Sequence, residues 1–263
     1  MNRLSLCRIF ALIGLLASPP TGLAQLPSLN VGRSGAAAGA DFAILARLLG
    51  DHTGFTAQSD IRVYGKDQNE TTSTAMTFIY LDQKVRCEVD MTQMKHKDLP
   101  PGIAAQLQQF GMDQVVSIVR PDKQSLHVVY PKLQAYVTLP MPPEDLETAA
   151  KATLTKERLG TETLEGQPCI KHKVTILPPK GEKQELTVWH ATNLRDFPVQ
   201  TLAKRDEETV ITRYRQIQFV KPEAKLFDAP ANFREYTDMQ SFMQGVLAKI
   251  VGEIGRASCR ESV

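Results

Sequence analysis

Apolar and polar residues alternate along much of this sequence, most regularly in its second half. In Cys169–Ile176 three apolar residues share one face of an extended chain, while two lysines and a threonine share the other. Glu185–His190 alternates in the same way, and Pro178–Gly181 between them has the composition of a turn. Pro198 follows soon afterwards, and a proline is tolerated at the start of a strand or in an edge strand. The pattern predicts a meander of antiparallel strands with one polar face.

Other segments show the same period of two, and the two-residue connection Asp82-Gln83 predicts a tight hairpin between two of them. The predicted strands are Phe55–Lys66, Thr72–Leu81, Lys84–Met91, Gln114–Arg120, Ser125–Tyr130, Gln134–Leu139 and Thr209–Val220.

Helical spacing of apolar residues predicts four helices between the strands. In the second of them Ile103, Leu107 and Phe110 form the apolar stripe, after a Pro-Pro-Gly start and before Gly111. The helices are Asp41–Leu49, Leu99–Gly111, Pro142–Leu154 and Thr237–Val251.

Runs of strands with helices inserted, and no strand–helix–strand alternation, predict an α+β fold. We expect a large curved antiparallel sheet of about ten strands, a half-barrel, with a few helices capping its concave face. The sequence has no Gly/Ser linker, so residues 41–252 are expected to form a single domain.

The two ends of the chain read differently from its centre. Arg3 and Arg8 precede the apolar run Ile9–Ala17, and Gly22–Ala24 supplies small residues, which predicts a signal peptide over residues 1–24. Residues 25–40 are rich in Gly, Ala and Ser and are expected to be a flexible lead-in. Glu253–Val263 (EIGRASCRESV) closely resembles a translated sequencing-library adapter, so we expect no contribution to the fold.

Charge argues against a nucleic-acid partner. The 31 lysines and arginines and 29 acidic residues of the whole chain fall to 27 of each when residues 1–24 and 253–263 are set aside. A net charge near zero gives no basic patch for a phosphate backbone.

Motifs for catalysis, phosphate loops and metal sites are absent from the sequence. His172 and His190 lie on adjacent predicted strands and could approach each other, but two histidines make a poor zinc site. Cys87 and Cys169 could form a disulfide in an exported protein, or remain unpaired, since alternation places them on different faces. We expect no cofactor, no metal and no enzymatic activity.

Four segments carry a resemblance to a known family. Gly160–Val174 (GTETLEGQPCIKHKV), then TVWHATN, FPVQTLAK and Lys225–Tyr236 (KLFDAPANFREY), resemble bacterial periplasmic proteins of the LolA/LolB-like lipoprotein-carrier fold, and within them the DUF4412-type branch. The resemblance spans roughly residues 42–236 and implies a half-barrel with a lid. It also implies an arginine inside the barrel, for which Arg86 in KVRCEV is the matching position. Alternation instead groups Arg86 with Glu88 and Asp90 on the solvent face.

Two functions follow as hypotheses. The first is a periplasmic carrier-like protein that holds a lipid, an acyl chain or a lipidated peptide in an apolar groove covered by the segment Leu99–Gly111 as a lid. The second is a non-catalytic structural or sensor module of the envelope that binds a peripheral protein partner. The expected groove residues are Phe78 (or Ile79), Val89, Val128, Val174, Val188 and Ile217, with Ile103, Leu107 and Phe110 in the lid.

The leader gives the first testable prediction. Because the positive, apolar and small-residue regions follow one another in order, expression with an export pathway should yield a protein that begins at Gln25. Intact-mass measurement of the exported form checks this. A retained Met1, or a start well downstream of Gln25, would contradict it.

Overall fold

One sheet of thirteen strands forms the body of the protein. The computed structural model describes residues 45, 47–179, 183–205 and 207–248. The strands are β1 (Gly54–Tyr64), β2 (Glu70–Leu81), β3 (Lys84–Asp90), β4 (Lys95–His96), β5 (Gln114–Arg120), β6 (Ser125–Tyr130), β7 (Ala135–Pro140), β8 (Thr153–Leu164), β9 (Gln167–Leu177), β10 (Gln184–Ala191), β11 (Phe197–Arg205), β12 (Glu208–Gln218) and β13 (Arg234–Tyr236).

The sheet is open and almost wholly antiparallel. From edge to edge its order is β13-β7-β6-β5-β3-β2-β1-β12-β11-β10-β9-β8, and β4 pairs with β2 beside this path. The described strand pairs are antiparallel except β13–β7, which is parallel. Among the described strands β13 and β8 form its two edges, so the described sheet does not close into a barrel. The predicted α+β fold with a large curved sheet is therefore confirmed.

Most predicted strands lie within two residues of their observed bounds. The short strands β4 and β13 and the long strand β8 were missed, and β11 was indicated only by its proline. The helix predicted over Pro142–Leu154 ends at Lys151, and β8 begins at Thr153. Edge strand β8 is exposed along nearly its whole length, so it lacks the apolar alternation on which the prediction depended. Pro198 lies in β11, at a register shift against β10, where the sheet tolerates a missing backbone donor.

Tight reversals set the register of neighbouring strands. Asp82 and Gln83 both have positive φ, 46° and 68°, as the predicted two-residue hairpin between β2 and β3 requires. Glu165 and Gly166 make the corresponding connection between β8 and β9, with φ of 49° and 80°. Each of these turns keeps alternate side chains on the same face of the sheet.

Three described helices lie against the inner, concave face: α1 (Ile103–Gln109), α2 (Pro143–Lys151) and α3 (residues 239–248). Leu107 of α1, Leu146 of α2 and Phe242 of α3 belong to the same apolar cluster as the inner face. Residues 45, 47 and 48 are also helical, and Leu48 and Leu49 are buried there. The rest of the helix predicted over Asp41–Leu49, including Phe42, lies outside the described residues.

Local chemistry explains where α3 begins and how it docks. Asp238 precedes it and accepts a hydrogen bond from the backbone N–H of Ser241 at 2.7 Å, which is an N-cap. Phe242 stacks on Tyr130 of β6 with ring centroids 4.5 Å apart. At Gly245 a Cβ would lie 2.4 Å from the Tyr236 hydroxyl, so only glycine allows α3 this close to β13.

The outer, convex face is covered at one half by the chain between β12 and β13. Phe227 is fully buried there against Ile118 and Leu81. The buried Arg120 holds this segment, donating to the Phe227 carbonyl at 3.0 Å and to Asp228 at 2.6 Å. This half of the sheet is therefore packed on both faces.

Removing the Phe227 ring should destabilise the protein severely. Phe227→Ala leaves a cavity under a fully buried side chain, which costs about 3–5 kcal/mol. Urea unfolding measures the change, and Val220→Ala is the control, because that side chain is 65 % exposed in the same segment and should matter by less than about 0.5 kcal/mol. Equal unfolding midpoints for the two variants would contradict this packing.

Candidate functional site

The residues expected to line a groove all lie on the inner face of the sheet. Their role in binding remains a prediction. Phe78, Val128, Val174 and Val188 are at most 1 % exposed, and Val89 and Ile217 pack partly buried against the same cluster. Ile79, the alternative to Phe78, belongs to the outer cluster. The expected groove residues therefore share one largely apolar face, and in the described form they are covered.

Aromatic rings fill the centre of the inner face. The Phe55 ring lies 5.8 Å from Phe78, 5.4 Å from Tyr80 and 4.8 Å from Phe197, measured between centroids. Tyr214 joins them, 5.6 Å from Phe78. Burial raises the pKa of the Tyr214 hydroxyl well above its usual range. These rings occupy the space that a ligand would otherwise take in this part of the concavity.

The segment expected to be a lid is a short helix between two glycines. Leu107 is its buried residue, while Ile103 and Phe110 are partly buried against the inner cluster. Gly102 and Gly111 flank α1 with φ of 82° and 69°, values that most other residues resist. This segment is thus attached through two backbone positions that favour glycine.

Arg86 does not lie inside the half-barrel. Its Nε donates to Glu88 at 2.7 Å and its Nη1 donates to the Leu226 carbonyl at 3.0 Å, on the outer face. The position implied by the family resemblance is wrong, and the alternation that grouped Arg86 with Glu88 is right.

A polar patch interrupts the inner face near the β8 edge. The Nδ1 atoms of His172 and His190 lie 3.0 Å apart, so one imidazole donates a hydrogen bond to the other. His190 is 4 % exposed, and its Nε2 has no partner among the described residues. The expected approach of the two histidines is confirmed, as neighbours on β9 and β10.

Basic side chains from β8 complete this patch. Arg158 pairs in register with His172, and Lys156 pairs with Val174 two residues along β9. Cross-strand partners share a face, so both cations lie on the inner side. Neither makes an ion pair with a residue of the described ranges, and both side chains are exposed.

Burial and positive charge act together on the two imidazoles. The pKa of His190 is lowered to about 4 by burial, then by Lys156 and by His172. The pKa of His172 is lowered by burial and by Lys156 and Arg158. Asp196 opposes both shifts.

Lys156 and Arg158 were not among the candidate residues, because β8 was not recognised as a strand. The turn Glu165-Gly166 directly before β9 was the available signal. A two-residue hairpin turn requires a partner strand on its other side, which would have placed alternate residues of 153–164 on the inner face.

An open groove of about 640 Å³ lies on the outer face near the same edge. Lys173, Thr187 and Leu202, which pair across three strands, line it together with the exposed Leu159. Leu159 is the extra residue at a register shift in β8. This groove is mixed in polarity and is separate from the apolar groove expected on the inner face.

Cysteines and metal ligands offer no further site in the described residues. Cys87 and Cys169 are both buried and free. No group of three or more His, Cys, Asp or Glu side chains is gathered within the described ranges as a metal site would need. No helix in this part of the chain is long and apolar enough to cross a bilayer.

No family model and no curated protein matches the chain. Among solved structures it is similar to the Mycobacterium tuberculosis lipoprotein LppX, at 13 % identity over 67 % of this chain and 94 % of that one, with a TM-score of 0.36. A LolA superfamily protein from Nitrosomonas europaea is 11 % identical over 74 % and 97 %, with a TM-score of 0.35. The Pseudomonas aeruginosa MucA/MucB complex is 10 % identical over 76 % and 64 %, with a TM-score of 0.36. The DUF4412-type resemblance stays a prediction.

His190 should make stability depend on pH. An unfolded histidine binds a proton near pH 6.5, while folded His190 does so only at about pH 4. Between these values the unfolded chain binds more protons, so the free energy of unfolding falls as pH is lowered through this window, by at most about 3 kcal/mol. His190→Gln lacks this contribution.

Urea unfolding of both proteins at several pH values checks this. The stability difference between wild type and His190→Gln should shrink from neutral pH towards pH 4. His52 and His127 also have lowered pKa values, but they are common to both proteins. His172 contacts His190, so its contribution is measured together with that of His190. If the free energies of unfolding of the two proteins changed in parallel with pH, His190 would not be buried and neutral in the folded state.

Proposed function

We propose that this protein is an exported, periplasmic carrier-like binding protein that holds an acyl chain of a lipid or lipidated peptide against the inner face. It uses no cofactor and catalyses no reaction. Residues 41–252 form its one domain, after a leader over residues 1–24 and a lead-in over residues 25–40. The leader, the lead-in and the tail 253–263 lie outside the described residues.

The observation that carries this proposal is the extent of the largely apolar inner face on the side of the sheet away from the polar patch. A row of paired residues crosses six strands there: Ala57, Phe78, Cys87, Ser117, Val128 and Val137. Burial of an acyl chain yields about 0.8 kcal/mol per CH₂. An apolar surface of this extent is therefore sufficient for binding and requires no special residue type.

The cover over this face supports a ligand that enters and leaves. In the described residues separate short helices, rather than a second sheet, shield it. α3 buries Phe242, Met243 and Val246, whereas α1 buries only Leu107. Exposing one leucine costs about 1.5–3 kcal/mol, so lifting α1 costs less than lifting α3.

A second function is favoured by the aromatic filling around Phe55. If those rings leave no room for a chain, the same scaffold serves as a non-catalytic envelope module that binds a protein partner. The twelve-residue edge strand β8 is the place where a partner strand could add. Lys156, Glu157 and Arg158, together with the register shift after them, disfavour indiscriminate pairing at that edge.

Displacement of a fluorescent fatty-acid probe tests the carrier function. Wild type should bind the probe, and Val128→Asp should abolish binding, because an unpaired charge in an apolar groove costs several kcal/mol. Val128 is fully buried on the inner face between Ser117 and Val137, far from the basic side chains of β8. Thr187→Asp is the control: it adds the same charge on the outer face of the sheet and should bind as wild type does.

A lid variant covers the case in which Val128→Asp does not fold. Leu107→Ala removes the buried anchor of α1 and should speed probe association while the protein stays folded, as circular dichroism would show. If neither wild type nor Leu107→Ala binds the probe, the carrier function fails and the partner-binding module takes its place.

A further inference from the structure

Four basic side chains meet at one end of the inner face without an acidic counterpart among them. Lys156 and Arg158 come from β8, His172 from β9 and His190 from β10. The register places all four on the same side of the sheet, where cross-strand neighbours are in contact range. We call this set the basic patch.

One buried hydrogen-bonding atom in this region lacks a partner. His190 Nε2 makes no hydrogen bond with a described residue. Buried polar atoms in native proteins are almost always satisfied, so an unsatisfied one points to an ion, a water or a ligand. His190 Nε2 therefore marks a place where a polar group is bound.

Charge decides which polar group fits. Lys156 and Arg158 make no ion pair with a described residue, and gathering like charges beside two imidazoles is unfavourable without an anion. The pKa values of His172 and His190 are lowered by these same cations. Asp196 is the acidic side chain near the pair, and a single carboxylate leaves the two exposed cations uncompensated.

We propose that the basic patch binds a phosphate-type oxyanion, with the guanidinium of Arg158 and the ammonium of Lys156 at the rim and the imidazole of His190 at the bottom. An arginine fork and a lysine point charge are the usual donors to such a group. His172 lies between rim and bottom and joins the two through its Nδ1 contact with His190.

If the ligand is a lipid, this inference rests on the proposed carrier function, and the phosphate-type oxyanion is the headgroup of that lipid. Val174 and Val188 lie beside the basic patch on the same face and continue into the apolar cluster. A phosphate held at the patch would leave its acyl chains directed along these residues. The rim is exposed and the far end is buried, which suits a ligand with one charged and one apolar end.

Titration with inorganic phosphate, followed by the ¹⁵N signals of the histidine side chains, tests the site by itself. Addition of phosphate at constant ionic strength should shift the signals of both His172 and His190. The double variant Lys156→Gln/Arg158→Gln should weaken binding by about tenfold or more. Lys204→Gln is the control, since it removes the same charge from the outer face of β11 and should leave binding unchanged.

pH provides a second readout that a merely structural role of the histidines would not move. An anion beside the imidazoles favours their protonated forms, so saturation with phosphate should raise the lowered pKa of His172 and of His190, read from the same ¹⁵N signals over a pH titration. The inference is overturned if phosphate shifts neither histidine, or if the double variant binds it as tightly as wild type does.

Soluble lipids identify the source of the anion. If dihexanoyl phosphatidic acid binds more tightly than inorganic phosphate, and the double variant loses this binding, the bound anion is a lipid headgroup. Equal affinities identify free phosphate. If the protein binds phosphate but not the fatty-acid probe, the anion site is supported and the carrier function is refuted. The two proposals can therefore fail separately.

Discussion

The inner face of the sheet is the constraint on which the rest of the molecule depends. A single sheet with an apolar face exposes that face to water unless something covers it, and here no second sheet is present in the described residues. The chain meets the constraint by curvature and by helices that lie in the concavity, with Leu107, Leu146 and Phe242 reaching the same cluster. Burial of apolar surface, which is favourable by roughly 25 cal/mol per Å², drives this arrangement.

The two halves of the inner face differ in what they present. Towards β7 it is mainly apolar, with Tyr130 against Phe242, and is closed by α3. Towards β8 more hydroxyl and imidazole groups enter it, among them Thr212 and His190. A wholly apolar interior would accept any chain of suitable length. Polar groups at one end give a bound molecule an orientation, because their hydrogen bonds are lost if the ligand is reversed.

Sequence patterning predicted the fold more fully than the site. Alternation located nine strands because one of their faces is buried, and it placed Arg86 outside. It failed at β8, where both faces are exposed and no apolar period remains. The filling of the concavity by rings such as Phe55 and Phe197 was also invisible, because alternation tells which side a residue faces and not how much space its neighbours leave. Lys156 and Arg158 were missed with the strand that carries them.

The last strand has a consequence for how the chain assembles. β13 closes the edge at β7, and the segment before it is tied to Arg120 across 107 residues of sequence. Contacts so distant form late, since loop closure costs entropy before they form. Until β13 is synthesised, β7 presents unpaired backbone groups, and an unfinished chain with such an edge is prone to aggregate. The edge at β7 is therefore protected from pairing with other chains only once the chain has been synthesised as far as Tyr236.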